Sequence, residues 1–301
     1  NAIVLDRPAW RLDGDDWQRP LEVLKVDMKV RDELGLQHRG GRMYQPWAQP
    51  AAADTAARRV ELKYTFKVKS VPAGPCHLVL ELPERFDIQL NGTALDTLED
   101  DGWWIDNSMK RLRFAPTLLQ PGANELRLVT AYTADYAGLE AVFITGEFGA
   151  AWSRLTPVIT PLRKRLKLGD WTTQALPCYT GAVTYSTEVD IDLPEGQRVF
   201  LEVPAWEGVL LKVRLNKVEL GRLGWPPYEV DVTDAVRAGS NQVEIEVVAS
   251  RRNLLGPLHL SERYPRWTGS GQFVSTGDQW TNKYVALPQG LMAPPALSWR
   301  A

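Results

Sequence analysis

The sequence predicts an all-β fold of two β-sandwiches in tandem, and three observations predict it. The first is an internal repeat. Residues 64–129 run from an alternating strand at Tyr64 through FDIQLNG to PGANELRLV; residues 185–247 run from Tyr185 through LKVRLNK to AGSNQVEIEV. In each copy a strand ends on an asparagine (Asn91, Asn216), and a later turn carries Gly-x-Asn (Gly122 to Asn124, Gly239 to Asn241) directly ahead of another strand. Self-similarity on this scale marks two copies of one folding unit. The second observation is period-two alternation of apolar and polar residues, the mark of strands with one buried and one wet face. The third is punctuation by Pro and Gly at Pro72 to Pro75, Pro83, Pro121-Gly122, Pro194 to Gly196 and Pro226-Pro227, which breaks the chain into many short strands.

Taken in order, WRLDGDDWQRPLEV reads as an opening hairpin turning at Gly14 between aspartates. Residues 21–35, LEVLKVDMKVRDELG, mix strand and helix character. The Gly-, Pro- and Ala-rich segment 38–59 reads as a long loop. VELKYTFKV (60–68), RVFLEV (198–203), LLKVRL (210–215) and NQVEIEVV (241–248) are strands, and VTDAVRAG (232–239) is one helical turn capped by Thr or Asp and stopped at Gly239. VFITGEFG (142–149) closes the first copy, and the basic, Pro-containing stretch Arg154 to Lys167 follows it. The expected domains are therefore 1–155 and 156–301, a length of 301 residues suiting two domains better than one. The tail YVALPQGLMAPPALSW is expected to be a closing strand followed by Pro-broken residues.

A formal net charge of -2 gives no electrostatic reason to seek nucleic acid or an anionic membrane surface. No apolar run approaches the ~20 residues of a membrane span. A start at Asn1 rather than Met is expected of a processed or excised chain, and it leaves the compartment open. Cys76 and Cys178 fall in different copies and are expected to be two separate thiols.

The chain carries 12 Trp and 9 Tyr, rings with an apolar body and a polar tip that fill cores but also suit half-wet surfaces. Trp103-Trp104 lie among Glu99, Asp100, Asp101 and Asp106. Neighbours on a strand face opposite ways, so one ring of the pair can pack while the other stacks on a sugar face, with the carboxylates accepting hydroxyl hydrogens. Asp100 and Asp101 are weak candidates for a structural Ca²⁺, because they lack calcium-loop spacing. Trp206 lies between two strands, and Trp225-Pro226-Pro227-Tyr228 is a stiff aromatic corner. Arg251, Arg252, Asn253 and His259 follow the last strand of the second copy and could pair with hydroxyls or a carboxylate. Each of these residues has an ordinary structural alternative: a core ring, a solvated acidic turn, or a loop tied by ion pairs. The Gly-x-Asn sites read as turns rather than ligand loops.

The three His (His38, His77, His259) show no metal spacing, and no nucleophile elbow or phosphate loop is present. With 37 acidic residues, a pair at glycosidase spacing decides nothing.

WPPYEVDVTDAVRAGSNQVEIEV resembles the sugar-binding jelly-roll domain of family 2 glycoside hydrolases and related galactose-binding-like modules, through its aromatic-Pro turn, Asp231-Val232-Thr233 and Gly239-x-Asn241 before a strand. Asn91-Gly92 keeps the family's hairpin dipeptide, whereas the second copy has Asn216-Lys217. DDGWWIDNSMKRL, VFITGEFG, GDWTTQALPCYTGAVTYSTEVDI and SRRNLLGPLHL resemble the C-terminal region of large bacterial glycoside hydrolases, including rhamnosidase-like enzymes. The resemblance implies two galactose-binding-like jelly rolls. It also implies a non-catalytic, carbohydrate-binding or supporting role beside an upstream catalytic domain of the same polypeptide. Oligo- or polysaccharide is then the ligand, and an extracellular or periplasmic setting is favoured. A purely structural appendage and a free-standing hydrolase or lyase are the competing classes.

Overall fold

The structure, a computed structural model, describes residues 1–39, 56–97 and 100–301. The backbone is all-β in class and divides into two units. One comprises Asn1–Leu162 and Leu254–Val285; the other comprises Arg163–Asn253 and Ala286–Ala301.

The first unit holds β1 (Ala2–Leu5), β2 (Ala9–Leu12), helix α1 (Val23–Leu34), β3 (Arg58–Val68), β4 (Cys76–Glu81), β5 (Phe86–Leu90), β6 (Thr93–Ala94), β7 (Asp100–Trp104), β8 (Asp106–Phe114), β9 (Gly122–Tyr132), β10 (Val142–Gly146), β11 (Gly149–Ser153) and β12 (Thr156–Thr160). One sheet runs β1-β10-β4-β8-β7; the other runs β11-β12-β3-β9-β5-β6, with β2 also paired to β3. Alternation places Val60, Leu62, Tyr64 and Phe66 of β3 in one buried cluster with Leu126 and Leu128 of β9 and with Leu78, Leu112 and Ile144 of the opposite sheet. Each such side chain contributes about 1.5–3 kcal/mol by leaving water.

The second unit holds β13 (Ala182–Ile191), β14 (Arg198–Glu202), β15 (Trp206–Glu207), β16 (Leu210–Leu215), β17 (Val218–Leu223), β18 (Glu229–Asp231) and β19 (Gly239–Val248). After them come a single turn, α2 (Arg252–Leu255), then β20 (Gly290–Leu291) and β21 (Ala296–Arg300). Its sheets are β13-β19-β16-β17, β18-β14-β21 and the pair β15-β20.

The repeat is legible in this topology. The order β3-β9-β5-β6 reappears as β13-β19-β16-β17, and β10-β4-β8 reappears as β21-β14-β18. It is also legible atom by atom. Asn91 and Asn216 both sit at positive φ, 50° and 53°. Asn91 Nδ2 donates to Leu118 O (2.7 Å) and Asn124 Oδ1 (2.8 Å); Asn216 Nδ2 donates to Ala235 O (2.9 Å) and Asn241 Oδ1 (2.8 Å). Asn124 Oδ1 also accepts from the Gln120 amide, and Asn241 Oδ1 from the Arg237 amide. The Gly-x-Asn asparagines therefore lock a turn to a strand end in both units.

Several boundaries differ from the sequence reading. A split at 155 would cut the β11–β12 hairpin, whose Trp152 pairs with Pro157. Pro157 suggested a joint but lies within β12, paired with Trp152 of β11 and just outside the register that joins Val158 and Ile159 to β3. Residues 254–285, expected in the second domain, belong to the first unit. They lie between β19 and β21, whose counterparts β9 and β10 are separated only by residues 133–141. Residues 21–35 resolve as a helix. Val23, Val26 and Val30 share its buried face at helical spacing, Glu22 caps its start and Gly35 at φ 66° ends it. The opening hairpin reduces to a bridge between Trp10 and Gln18, because β2 takes β3 as its partner. The turn at 232–239 is a short 3-10 segment, Thr233–Ala235, and Gly239 begins β19 rather than stopping a helix. In the tail the strands follow the breakers instead of preceding them. Most of the expected loop 38–59 lies outside the described residues, and Arg58 and Arg59 already belong to β3. Cys76 and Cys178 are buried thiols that form no disulfide.

Candidate functional site

A cavity of about 1390 Å³ opens in the first unit. That exceeds the roughly 300–1,000 Å³ usual for small-molecule sites. Strands supply Val4, Leu80, Met109 and Phe143; α1 supplies Val23, Leu24, Asp27, Met28 and Arg31; α2 and the segment after it supply Leu254 to His259 and Phe273 to Ser275. The lining therefore mixes aliphatic and aromatic side chains with carboxylates (Asp6, Glu22, Asp27, Glu81, Glu140) and basic groups (Arg31, His38, Arg39, His259).

The carboxylates of the lining include one at the entry of α1. Glu22 is the N-cap, its carboxylate accepting from the amides of Leu24 (3.0 Å) and Lys25 (3.2 Å). Glu is a rare cap; shorter Ser, Thr, Asp and Asn are preferred. The side chain is buried, and burial pushes its carboxyl up to about 7, against the pull of the Leu24 amide and of His259. Asp6 lies close enough to push it in the same direction as burial.

Asp6 itself ends the apolar run of β1 and is buried. Its Oδ1 accepts from the Tyr284 hydroxyl at 2.6 Å, and its Oδ2 lies 3.0 Å from His259 Nε2. His259 Nδ1 lies 3.0 Å from the Thr281 carbonyl, which can only accept, so Nδ1 carries a proton. The Nε2–Asp6 contact then needs a second proton held between the two groups. Tyr284 is stacked on Trp152, with ring centroids 4.7 Å apart. Residues 258–285 thus return to the first unit as a narrow hairpin pinned to β1.

Asp27, one turn into α1, is fully occupied. It accepts from Arg31 Nε (2.9 Å), Arg39 Nε (3.0 Å), the Tyr132 hydroxyl (2.7 Å) and the Leu139 amide (2.8 Å). Arg39 also reaches Glu140 (2.5 Å) and the Leu139 carbonyl (2.8 Å). This cluster is a structural tie. Glu22 is the cavity acid held near neutrality, the condition for a side chain that exchanges protons with a ligand.

The residues expected from sequence are dispersed. Trp103 is 57% exposed on β7, while Trp104 is half-buried and meets Phe143 edge-on at 5.7 Å. Asp106 is exposed and accepts from the Ser108 amide and hydroxyl, which hold its carboxyl below the usual range. Trp206 and Tyr228 are half-buried and pack edge-on against each other, centroids 5.3 Å apart, which removes the ring faces from a shared platform. Trp225 is 80% exposed. Arg251 is exposed, Arg252 is buried, and Asn253 is sealed inside the second unit. Asn253 exchanges hydrogen bonds with the backbone of Leu287 at 2.8 and 2.7 Å, which corrects its assignment as a hydroxyl reader. His259 belongs to the first unit and is spent on Asp6 and Thr281, so it does not join Arg251 to Asn253 in one site.

Asp101 is bound to His77 (2.6 Å) and Arg111 (3.4 Å), partners that displace a cation rather than share one. Glu99 and the Asp100 side chain lie outside the described residues. Among the described residues no group of His, Cys, Asp and Glu is arranged to hold a metal ion.

Sequence reasoning missed Asp6, Glu22, Asp27 and Tyr284. Two signals were present. Asp27 and Arg31 stand at i,i+4 on the valine face of a helix, and a carboxylate ends an otherwise apolar strand.

No family model and no curated protein matches this chain. Among solved structures it is similar to a rhamnosidase from Novosphingobium sp. PP1Y (TM-score 0.32, 14% identity, 91% of this chain and 26% of that one). It is also similar to a β-D-mannosidase from Dictyoglomus thermophilum (0.29, 14%, 89% and 33%). A third is an anti-sigma factor domain-containing protein from Clostridium clariflavum (0.23, 9%, 82% and 90%). The chain thus spans about a quarter to a third of the two glycosidases, and likeness at these TM-scores assigns neither family nor function.

Proposed function

We propose that this chain is a carbohydrate-binding accessory module, non-catalytic in itself, and that its principal site is the cavity of the first unit. One observation carries the reading: a large cavity whose lining joins apolar side chains to carboxylates. A sugar ring has matching parts, with C–H faces that suit apolar side chains and a rim of hydroxyls that donate to carboxylates. Trp103 and Trp225 are separate, open platforms on which rings of a longer glycan can stack. Attachment to a glycoside hydrolase rests on the sequence resemblances at 225–247 and at 100–112, 142–149, 169–191 and 250–260, and remains part of the proposal.

A second reading is favoured by Trp225 (80% exposed), Trp267 (67%) and Tyr264 (59%). Rings this bare suit a structural appendage that covers them with a catalytic domain of the same polypeptide. A neutral-oligosaccharide array followed by calorimetry on the full chain separates the two. The cavity reading expects binding that Met28→Trp and Ser275→Trp abolish and that Trp103→Ala and Trp225→Ala only weaken. Binding lost with the surface tryptophans alone moves the site to the platforms. No binding by the parent chain leaves the appendage reading in place.

A further inference from the structure

Resting on the carbohydrate reading, we propose that the cavity of the first unit is selective for an amino sugar, whose ammonium group pairs with Glu22. The argument is an inventory of what the wall still has to offer. Among the described lining residues the cations are Arg31, Arg39, His38 and His259. Arg31 donates to Asp27 (2.9 Å), the Tyr136 carbonyl (3.0 Å) and the Gln37 carbonyl (3.3 Å). Arg39 is divided among Asp27, Glu140 and the Leu139 carbonyl. His38 is paired with Asp32 at 2.5 Å, and His259 is held between Thr281 and Asp6. Among the described residues no lining cation is left over for an anionic ligand.

The acceptors stand differently. Glu22 receives two backbone amides and no cationic side chain. Lys25, the nearest lysine along α1, turns its Nζ onto the Trp280 ring, 3.0 Å from the centroid. Asp6, which also faces Glu22, is satisfied by His259 and Tyr284. Glu22 is therefore a buried carboxylate with spare lone pairs and no ion pair, its nearby positive groups His259 and Lys25 being engaged with Asp6 and the Trp280 ring, and it lines a cavity large enough to admit a cation. Burying such a charge unpaired is costly, and an incoming ammonium supplies the missing partner. A uronate or a sulfated sugar would bring a second anion to the same wall and is rejected.

The test is calorimetric titration of the full chain with glucosamine, glucose, glucuronate and ethanolamine between pH 5 and 7. The expected result is glucosamine binding at least tenfold tighter than glucose at pH 7, with no measurable glucuronate binding. As Glu22 must lose its proton to pair, affinity for glucosamine should rise by up to about tenfold per pH unit across that range, while affinity for glucose stays flat. Glu22→Gln, with a far-ultraviolet circular dichroism spectrum that reports an intact fold, should lose both the preference for glucosamine over glucose and its pH slope. Equal affinity for glucose and glucosamine overturns the proposal and leaves the carbohydrate reading standing. Ethanolamine binding as tightly as glucosamine also overturns it, since the ring then contributes nothing. Binding of none of the four overturns both.

Discussion

Glu22 carries a pH dependence of stability of its own. In the unfolded chain its carboxyl ionises near 4.5, and in the folded chain near 7. Between those values the folded state holds a proton that the unfolded state has released, so this group's contribution to stability falls as pH rises. The loss is complete above about pH 7 and amounts to roughly 3 kcal/mol at most. Glu22→Gln, which keeps one capping oxygen, should therefore gain stability relative to the parent at pH 8 and little at pH 4, as read from urea midpoints at the two pH values. An unchanged pH profile in the variant would remove Glu22 as its source. This residue was not legible in sequence. A glutamate before a mixed apolar run announces neither a cap nor a cavity, and its proton affinity comes from burial by segments remote in the chain. The Gly-x-Asn turns were legible, because glycine at positive φ (Gly122 at 98°, Gly239 at 84°) and an asparagine that bonds backbone are local chemistry.

At the scale of elements, the hairpin formed by residues 258–285 depends on Asp6. Removing His259 alone, as His259→Leu, leaves a buried carboxylate with one partner and should cost about 3–5 kcal/mol. Replacing both, as Asp6→Leu with His259→Leu, removes the charge together with its partner and should recover much of that loss. Thermal unfolding of both single variants and the double variant measures the coupling, and simple additivity would mean that the pair does not interact. The strands were legible because period-two alternation depends only on which face is wet. α1 was half-legible: its valines favour strands locally, and helical spacing wins because Val23, Val26 and Val30 reach one buried cluster. The aromatic corner at Trp225 was read for stiffness, yet whether Trp206 presents a face or an edge is decided by Tyr228 packing against it. No period in the sequence encodes that.

At the scale of the molecule, the duplication was legible and the division was not. Repeated motifs gave the number of units, but residues 254–285 bear no mark that they serve the first unit rather than the second. The boundary misled because a basic, Pro-containing stretch looks like a linker even where β12 runs through it. A chain of residues 1–162 joined by a flexible linker to 254–285 should unfold cooperatively, whereas 1–162 alone should not, since Asp6 then loses both His259 and Tyr284. Cooperative melting of 1–162 alone would show that the returning segment is dispensable.

The interleaving of the two units also bears on biosynthesis. A nascent chain usually matures from its leading end, each domain closing as it leaves the ribosome. Here the leading unit waits for Tyr284, after β13 to β19 have already emerged, and the trailing unit waits for β21 at the very end. The leading unit cannot be finished until most of the trailing one has been made, so a translation product interrupted before Val285 has no completed half to fall back on.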